Sequence, residues 1–115
     1  MSTHKDLKAW EKSMDLVVST YKLSSHFPAA EKFGLTSQMR RAAVSVPSNI
    51  AEGAARSSTK EYIRFLYISL GSLSELETQF LISKRLEYIN DILEESIIEI
   101  RKMLLGLIKN LKSKL

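Results

Sequence analysis

Two neighbouring stretches decide the fold: Leu35–Gly53, LTSQMRRAAVSVPSNIAEG, and Ser58–Phe80, STKEYIRFLYISLGSLSELETQF. In both, apolar residues recur at steps of three and four, the spacing of an amphipathic α-helix, and neither alternates with the period of a β-strand. The apolar side of the first stretch consists of Met39, Ala42, Ala43, Val46, Ile50 and Gly53. The seam of the second consists of Tyr62, Leu66, Ser69, Leu73, Leu76 and Phe80. Two consecutive amphipathic helices are therefore predicted.

Capping signals predict where these two helices begin. Thr36 is a candidate cap for the first helix, and Ser58 with Glu61 three residues later forms a capping box for the second. Pro47 lies inside the first pattern, where it either kinks or ends the helix. The reason is that proline has no N–H to donate and its ring collides with the carbonyl of Ala43.

Amphipathic patterns also lie on both sides of these stretches. The N-terminal pattern should end before Pro28, because the residue preceding a proline is disfavoured in a helix. Its apolar stripe consists of Leu7, Trp10, Met14, Val17 and Tyr21. Asp91 and Glu94 repeat the capping-box spacing ahead of a C-terminal stripe. That stripe consists of Leu93, Ile97, Ile100, Leu104, Leu107 and Leu111. The predicted helices span about 5–25, 36–56, 58–86 and 91–113.

Four helices with short connections predict an all-α protein, an antiparallel up-down-up-down four-helix bundle that forms a single domain over residues 1–115. The last two helices carry second apolar stripes that a single seam does not need. These second stripes favour a homo-oligomer, because large exposed apolar patches usually mark protein–protein interfaces. The alternative is that they thicken the monomer core. These extra residues are Ile63, Tyr67, Leu70 and Leu81 on the third helix, and Ile98, Leu105, Ile108 and Leu115 on the fourth.

The composition excludes several functional classes. The 115-residue chain has no Cys, which removes disulfides, zinc–thiolate sites and thiol nucleophiles. Its two histidines, His4 and His26, have no carboxylate or second histidine at ligand spacing, and the serines lack a histidine to activate them. We therefore expect no metal, no cofactor and no enzymatic activity. Because no apolar run approaches the roughly 20 residues of a membrane span and no signal segment begins the chain, we expect a soluble, cytoplasmic protein without a membrane partner.

The net charge of +4 conceals a polarised distribution. Antiparallel topology brings residues 4–12, 52–64 and 101–115 to one end, where they carry +7, while residues 22–41 and 75–99 carry −2 at the other. We call the first set the basic pole. It comprises Lys5, Lys8, Arg56, Lys60, Arg64, Lys109, Lys112 and Lys114. Such a cluster can bind phosphate backbones by releasing their counterions, or it can simply oppose a helix dipole and aid solubility.

A polar string around Pro47 shares the second helix with its apolar face. It consists of Arg41, Ser45, Ser48, Asn49 and Glu52. We interpret Ser45, Asn49 and Glu52 as a structural network that satisfies backbone carbonyls freed by Pro47 and ties this helix to a neighbour. Arg56 lies one turn beyond Glu52, within reach of an i,i+4 ion pair. Arg40, Arg41 and Arg56 remain candidates for contact with RNA or a protein partner.

The two stretches Leu35–Gly53 and Ser58–Phe80 resemble a bacterial family of small four-helix-bundle proteins encoded within intervening sequences of 23S ribosomal RNA genes. The stretches DLKAWEKSMDL (6–16) and EIRKMLLGLIKNLK (99–112) extend the resemblance over nearly the whole chain. It implies a homopentamer of bundles arranged as a barrel around a central channel, no enzymatic activity, and binding of nucleic acid or ribosomes through basic surfaces. A similar fold occurs in the accessory variability determinant proteins of diversity-generating retroelements, which assemble with a reverse transcriptase and its RNA.

Two functions from different classes follow. The first is a noncatalytic module in which a homo-oligomer presents its basic pole to structured RNA or a ribonucleoprotein. Binding should follow backbone and shape, since no base-reading motif or stacking aromatic pair accompanies the pole. The alternative is a protein-interaction scaffold or an accessory subunit of a reverse transcriptase or other nucleic-acid enzyme, in which the helix-two arginines and outer apolar residues would matter most.

Overall fold

The computed structural model describes residues 3–115, apart from the side chain of His4, so the expectation for that histidine lies outside the described part. These residues form four α-helices and a 3-10 turn, Ala29–Glu31, with no strand among them. The helices are α1 (His4–Ser24), α2 (Leu35–Ala54), α3 (Thr59–Arg85) and α4 (Glu94–Lys112). The all-α prediction is confirmed, and the predicted boundaries agree with the observed ones to within three residues.

Cross-helix contacts show that α2 and α3 run antiparallel. Near the start of α2, Met39 lies against Ser83 at the end of α3, with Oγ–Sδ at 3.4 Å. Further along, the hydroxyl of Ser69 donates to the carbonyl of Val46 at 2.8 Å. α4 pairs with α3 in the same antiparallel sense, and α1 packs against both α2 and α4. The resulting body measures 47 × 24 × 18 Å, so its two ends are well separated.

The predicted seams of α2 and α3 are buried in full, and the centre of the α4 stripe is buried as well. α2 and α3 approach each other closely at Gly53. A Cβ added there would lie 2.7 Å from Cβ of Phe65 and 2.9 Å from Cδ1 of Tyr62. The two helices can therefore approach this closely only because the position has no side chain.

The predicted core face of α1 is only partly correct. Trp10 and Val17 are partly buried against the core, but Leu7, Met14 and Tyr21 are each about 40% exposed. The buried stripe is mostly small or polar. Its members are Asp6, Ala9, Ser13, Leu16, Thr20 and Ser24. The three hydroxyls of this stripe donate to carbonyls four residues earlier in α1, at 2.7 Å, and so need no partner on another helix. Because these side chains are small and form their hydrogen bonds within α1, the helix packs closely against its neighbours. Leu7, Met14 and Tyr21 remain on its outer side.

Helix caps agree with the sequence only for α3. Ser58 is the N-cap and accepts the N–H of Glu61 at 3.1 Å, which is one of the two bonds of the predicted capping box; the Glu61 carboxylate pairs with Arg64 and does not make the second. Thr36 is not the cap of α2, since the N-cap is Gly34 and Thr36 lies buried inside the helix. A side chain from the preceding turn replaces the predicted cap, because Oε1 of Glu31 accepts the N–H of Leu35 at 3.2 Å.

The predicted Asp91–Glu94 capping box is also wrong. α4 begins at Glu94 after Leu93, which adopts a left-handed conformation with φ of 53°. Oδ1 of Asp91 accepts the N–H of Leu93 at 2.8 Å, which forms a local turn ahead of the helix.

Pro47 does not end α2, which continues through it to Ala54. The proline has no N–H to donate to the carbonyl of Ala43, and the side-chain amide of Asn49 does not donate to that carbonyl either. Nδ2 of Asn49 donates to the carbonyl of Ser45 at 2.8 Å instead. The prediction that Asn49 satisfies the carbonyl freed by Pro47 is therefore wrong.

Candidate nucleic-acid interface

A buried carboxylate fixes the start of α1 beside the start of α3. Asp6 is 1% exposed, and its Oδ1 accepts the N–H of Thr3 at 2.9 Å while the Thr3 hydroxyl accepts the N–H of Asp6 at 3.2 Å. Its Oδ2 accepts the hydroxyl of Tyr62 at 3.0 Å. Burial, followed by the charge and the hydrogen bond of Asp6, raises the pKa of Tyr62 well above its usual value. This clamp brings the basic residues that open both helices to one end.

The two arginines of the basic pole, one in the turn after α2 and one on α3, flank one aromatic ring. The guanidinium carbons of Arg56 and Arg64 lie 4.8 and 4.7 Å from the ring centroid of Phe65. Arg56 also pairs with Glu52 at 2.9 Å, the i,i+4 contact expected from the sequence, and Arg64 pairs with Glu61 at 3.2 Å. Both cations are thus held in place and partly neutralised, so they add order more than net charge.

The lysines of the basic pole supply its uncompensated charge. Among the described residues, none of them has a carboxylate within 4.0 Å, and all are exposed: Lys5, Lys8, Lys60, Lys109, Lys112 and Lys114. Lys112 is the most ordered, since Nζ donates to the hydroxyl of Tyr67 at 2.8 Å. Because these lysines come from α1, α3 and α4, the pole exists only once the bundle has formed.

The packing of α1 on α4 adds a residue that the sequence did not single out. Lys102 joins Lys5 and Lys8 around a groove of about 330 Å³ between the two helices. Gly106 also lines the groove, and a Cβ added there would meet nothing within 4 Å. The sequence shows that Lys102 is a cation near this end of the bundle. Whether it lies beside Lys5 and Lys8 depends on the rotation of α1, which the apolar pattern did not predict correctly.

Arg40 and Arg41 lie at the opposite end, as the charge map predicts, and so do not join the basic pole. Arg40 is half-buried: Nε donates to Oγ of Ser24 at 2.9 Å, and the guanidinium carbon lies 4.5 Å from the ring centroid of Tyr21. Arg41 is exposed on the next position of α2. The sequence-predicted cationic residues therefore form two separate clusters.

Of the predicted polar network, Ser45 and Asn49 are joined. Nδ2 of Asn49 lies 2.9 Å from Oγ of Ser45, which lies 2.8 Å from Oγ of Ser72 on α3. Arg41 and Ser48 are exposed and form no side-chain hydrogen bond within residues 3–115. The network ties α2 to α3 through neutral hydroxyl and amide groups, and Glu52 is not part of it because its carboxylate pairs with Arg56.

The described residues contain neither a metal-binding cluster nor a membrane-spanning helix. No three His, Asp or Glu side chains among them are placed to hold a metal ion. Within the same part of the chain, none of the four helices is long and apolar enough to cross a membrane.

Known proteins resemble this chain in both sequence and structure. The sequence model of the family described as 23S rRNA-intervening sequence protein matches residues 5–106. Among solved structures, a protein with unknown function from the S23 ribosomal protein family of Bacteroides thetaiotaomicron VPI-5482 is 31% identical, with a TM-score of 0.80. The alignment covers 91% of this chain and 98% of that one. No curated protein matches the chain.

Proposed function

Because the chain belongs to the 23S rRNA-intervening sequence protein family, we propose that it is a noncatalytic module that binds structured RNA or a ribonucleoprotein through its basic pole. One observation carries this proposal. Exposed lysines from three helices converge at one end of the bundle, and within the described residues no carboxylate neutralises them. A surface of this kind attracts phosphate groups whatever their base sequence, since each contact releases condensed counterions.

The structure supports recognition of the RNA backbone and its shape. Phe65, the aromatic residue between the two arginines, is buried, so it offers no exposed ring on which a base could stack. Lys102 with Lys5 and Lys8 forms a groove whose walls carry positive charge and whose floor has room for a phosphate oxygen. Sequence-independent binding with strong salt dependence is the expected behaviour.

We also propose that the active form is a homopentamer that displays the basic pole five times in a ring. Support comes from large apolar side chains that the described protomer leaves 39–52% exposed on three helices. They include Leu7, Met14 and Val18 on α1, Ile68, Leu81 and Ile82 on α3, and Ile98 and Leu105 on α4. A self-associating protein would bury such surface. Native mass spectrometry should show five chains, and a stable monomer at micromolar concentration would contradict the assembly.

The RNA-binding test uses fluorescence anisotropy with an RNA hairpin and a DNA duplex of the same sequence, titrated at about 50 and 200 mM salt. If the basic pole contacts about four phosphates, a plot of log binding constant against log salt concentration should have a slope of about −3.6. Binding should then be about 150-fold weaker at 200 than at 50 mM salt. The variant Lys60→Gln/Lys109→Gln/Lys114→Gln removes three cations for which no intramolecular bond is seen among the described residues. It should reduce the slope by about 2.7.

The matched control neutralises three exposed cations at the other end: Lys22→Gln/Lys84→Gln/Arg85→Gln. It produces the same change in net charge, so it should leave most of the affinity and slope intact if the pole is the site. Equal losses in the two variants would reduce the interaction to general electrostatics. Equal binding of RNA hairpin and DNA duplex would contradict the preference for RNA.

A protein-scaffolding function is the second candidate, favoured by an apolar groove of about 310 Å³ between α1 and α2. Trp10, Met14 and Val17 line one side of it, and Val44 and Pro47 line the other. A nucleic-acid enzyme such as a reverse transcriptase could dock a helix or loop there. Under this proposal the protein purifies from its host together with such an enzyme, and Val44→Glu abolishes this association and leaves hairpin binding unchanged. Loss of the pentamer in the same variant would assign the groove to self-association.

A further inference from the structure

At the end opposite the basic pole, Tyr21, Lys32, Phe33, Arg40 and Arg41 line an open groove of about 620 Å³ between the end of α1 and the start of α2. We call it the aromatic groove. Its remaining walls come from α2 residues such as Thr36 and Val44. The sequence does not reveal this groove, because Tyr21 and Phe33 are twelve positions apart and are brought to one groove only by the α1–α2 turn.

Phe33 is the most exposed large apolar residue of the described chain, at 87%. It lies in the turn just before α2, and Nζ of Lys32 lies 5.4 Å from its ring centroid. A ring this exposed contributes little to the protomer's core. The ring instead lies largely in solvent, with the Lys32 cation over one of its faces.

The opposite side of the groove is already ordered. The guanidinium carbon of Arg40 lies 4.5 Å from the ring centroid of Tyr21, while Nε donates to Ser24 at 2.9 Å and Nη2 to the Tyr21 carbonyl at 3.3 Å. These bonds fix the guanidinium plane without an acidic partner. A ligand stacked on this pair would therefore lose little additional side-chain entropy.

The charge of the groove is of one sign. Lys32, Arg40 and Arg41 all line it, and no Asp or Glu does. This is notable at an end whose segments carry a net −2. The groove is thus a local cationic site, and its chemistry matches a ligand that joins a flat ring to an anionic group.

We propose that the aromatic groove binds one unpaired nucleotide of an RNA strand, with the base stacked on Phe33 and the Tyr21–Arg40 pair and the adjoining phosphates held by Lys32 and Arg41. Aromatic rings and guanidinium planes are the surfaces on which proteins stack splayed bases, and every base has a face to offer. The inference deepens the proposed function but uses none of the basic-pole residues. A structured RNA could then contact the pole through its helix and this groove through a loop.

The test compares two labelled RNAs: a ten-nucleotide oligouridylate, which has no duplex, and a blunt hairpin, which has little unpaired strand. Phe33→Ala should weaken oligouridylate binding about 5- to 150-fold, the range for loss of one stacked base, and leave hairpin binding unchanged. Phe33→Trp should retain it, because the stacking face remains. Arg41→Gln should lower the oligouridylate salt slope by about 0.7.

Phe33→Leu is the sharpest control, since it keeps apolar bulk but removes the ring face. Wild-type affinity in Phe33→Leu or in Phe33→Ala would overturn the proposal. So would a smaller oligomer in Phe33→Ala by light scattering, which would make the groove a contact between copies. Competition by a polyglutamate peptide as effective as by oligouridylate would assign the groove to an acidic protein segment instead.

The pole and groove variants separate the two proposals. If Lys60→Gln/Lys109→Gln/Lys114→Gln loses the hairpin while Phe33→Ala still binds oligouridylate normally, the proposed function stands and the groove inference fails. If the triple variant binds the hairpin normally and Phe33→Ala loses oligouridylate, the pole is wrong and the groove stands.

Discussion

The contact between α2 and α3 at Gly53 predicts that Gly53→Ala destabilises the protein. An added Cβ would lie 2.7 Å from Cβ of Phe65 and 2.9 Å from Cδ1 of Tyr62, whereas carbon atoms pack at about 3.5–4.0 Å. The helices must therefore separate locally by about 1 Å. Overpacking of this kind costs about 1–3 kcal/mol. Replacing glycine in a helix interior returns at most about 1 kcal/mol, and less here, one residue before α2 ends.

We therefore expect Gly53→Ala to lower the free energy of unfolding by about 1–2 kcal/mol. Urea unfolding followed by circular dichroism, at one fixed protein concentration, measures it. Gly71→Ala and Gly106→Ala are matched controls inside α3 and α4, where an added Cβ meets nothing within 4 Å. These should stabilise by up to about 1 kcal/mol. A Gly53→Ala variant as stable as the wild type would refute the close approach of α2 and α3.

Three further changes test other contacts through the same unfolding measurement. Tyr62→Phe should cost about 1.5–3 kcal/mol, because it removes a hydrogen bond to the buried Asp6 carboxylate. Since the folded pKa of Tyr62 is raised, its contribution is complete below the unfolded value of about 10 and declines as pH rises above it, so wild-type stability should fall in that range more steeply than that of Tyr62→Phe. Gln79→Leu should stabilise by about 1 kcal/mol, because Oε1 of Gln79 is buried without a hydrogen-bond partner among the described residues. Glu87→Gly should stabilise by up to about 1 kcal/mol, since Glu87 closes α3 in a left-handed conformation with φ of 64° that favours glycine.

Where the apolar pattern was unambiguous, the sequence predicted the packing. α2 carries a single apolar seam, and the second stripe of α3 adjoins its seam, so the rotation that buries the seam of α3 also buries Ile63 and leaves Tyr67 and Leu81 exposed. The same holds for the centre of α4. Short connections then leave antiparallel neighbours as the expected arrangement, and the cross-helix contacts agree with it.

The sequence could not predict the rotation of α1, because the helix has two usable faces. Ser13, Thr20 and Ser24 read as polar, yet each hydroxyl can bond a carbonyl of its own helix and so enter the core at little cost. Hydropathy assigns such residues to the surface. The Thr3–Asp6 capping box, by contrast, has the spacing of a sequence signal for a helix start, and it marks the buried side of this helix.

The rotation of α1 is also the common origin of both candidate sites. With the small stripe inward, Lys5 and Lys8 turn toward Lys102 across the α4 groove, and Tyr21 turns outward to meet Arg40. The predicted rotation, with Tyr21 in the core, would remove the ring from the aromatic groove and change the grouping of the lysines. A core built from Ala and Ser on α1 thus leaves the bulky and charged residues of this helix free to form surfaces. The small-residue stripe of α1, which the apolar pattern did not predict, is therefore the feature that places both proposed binding surfaces.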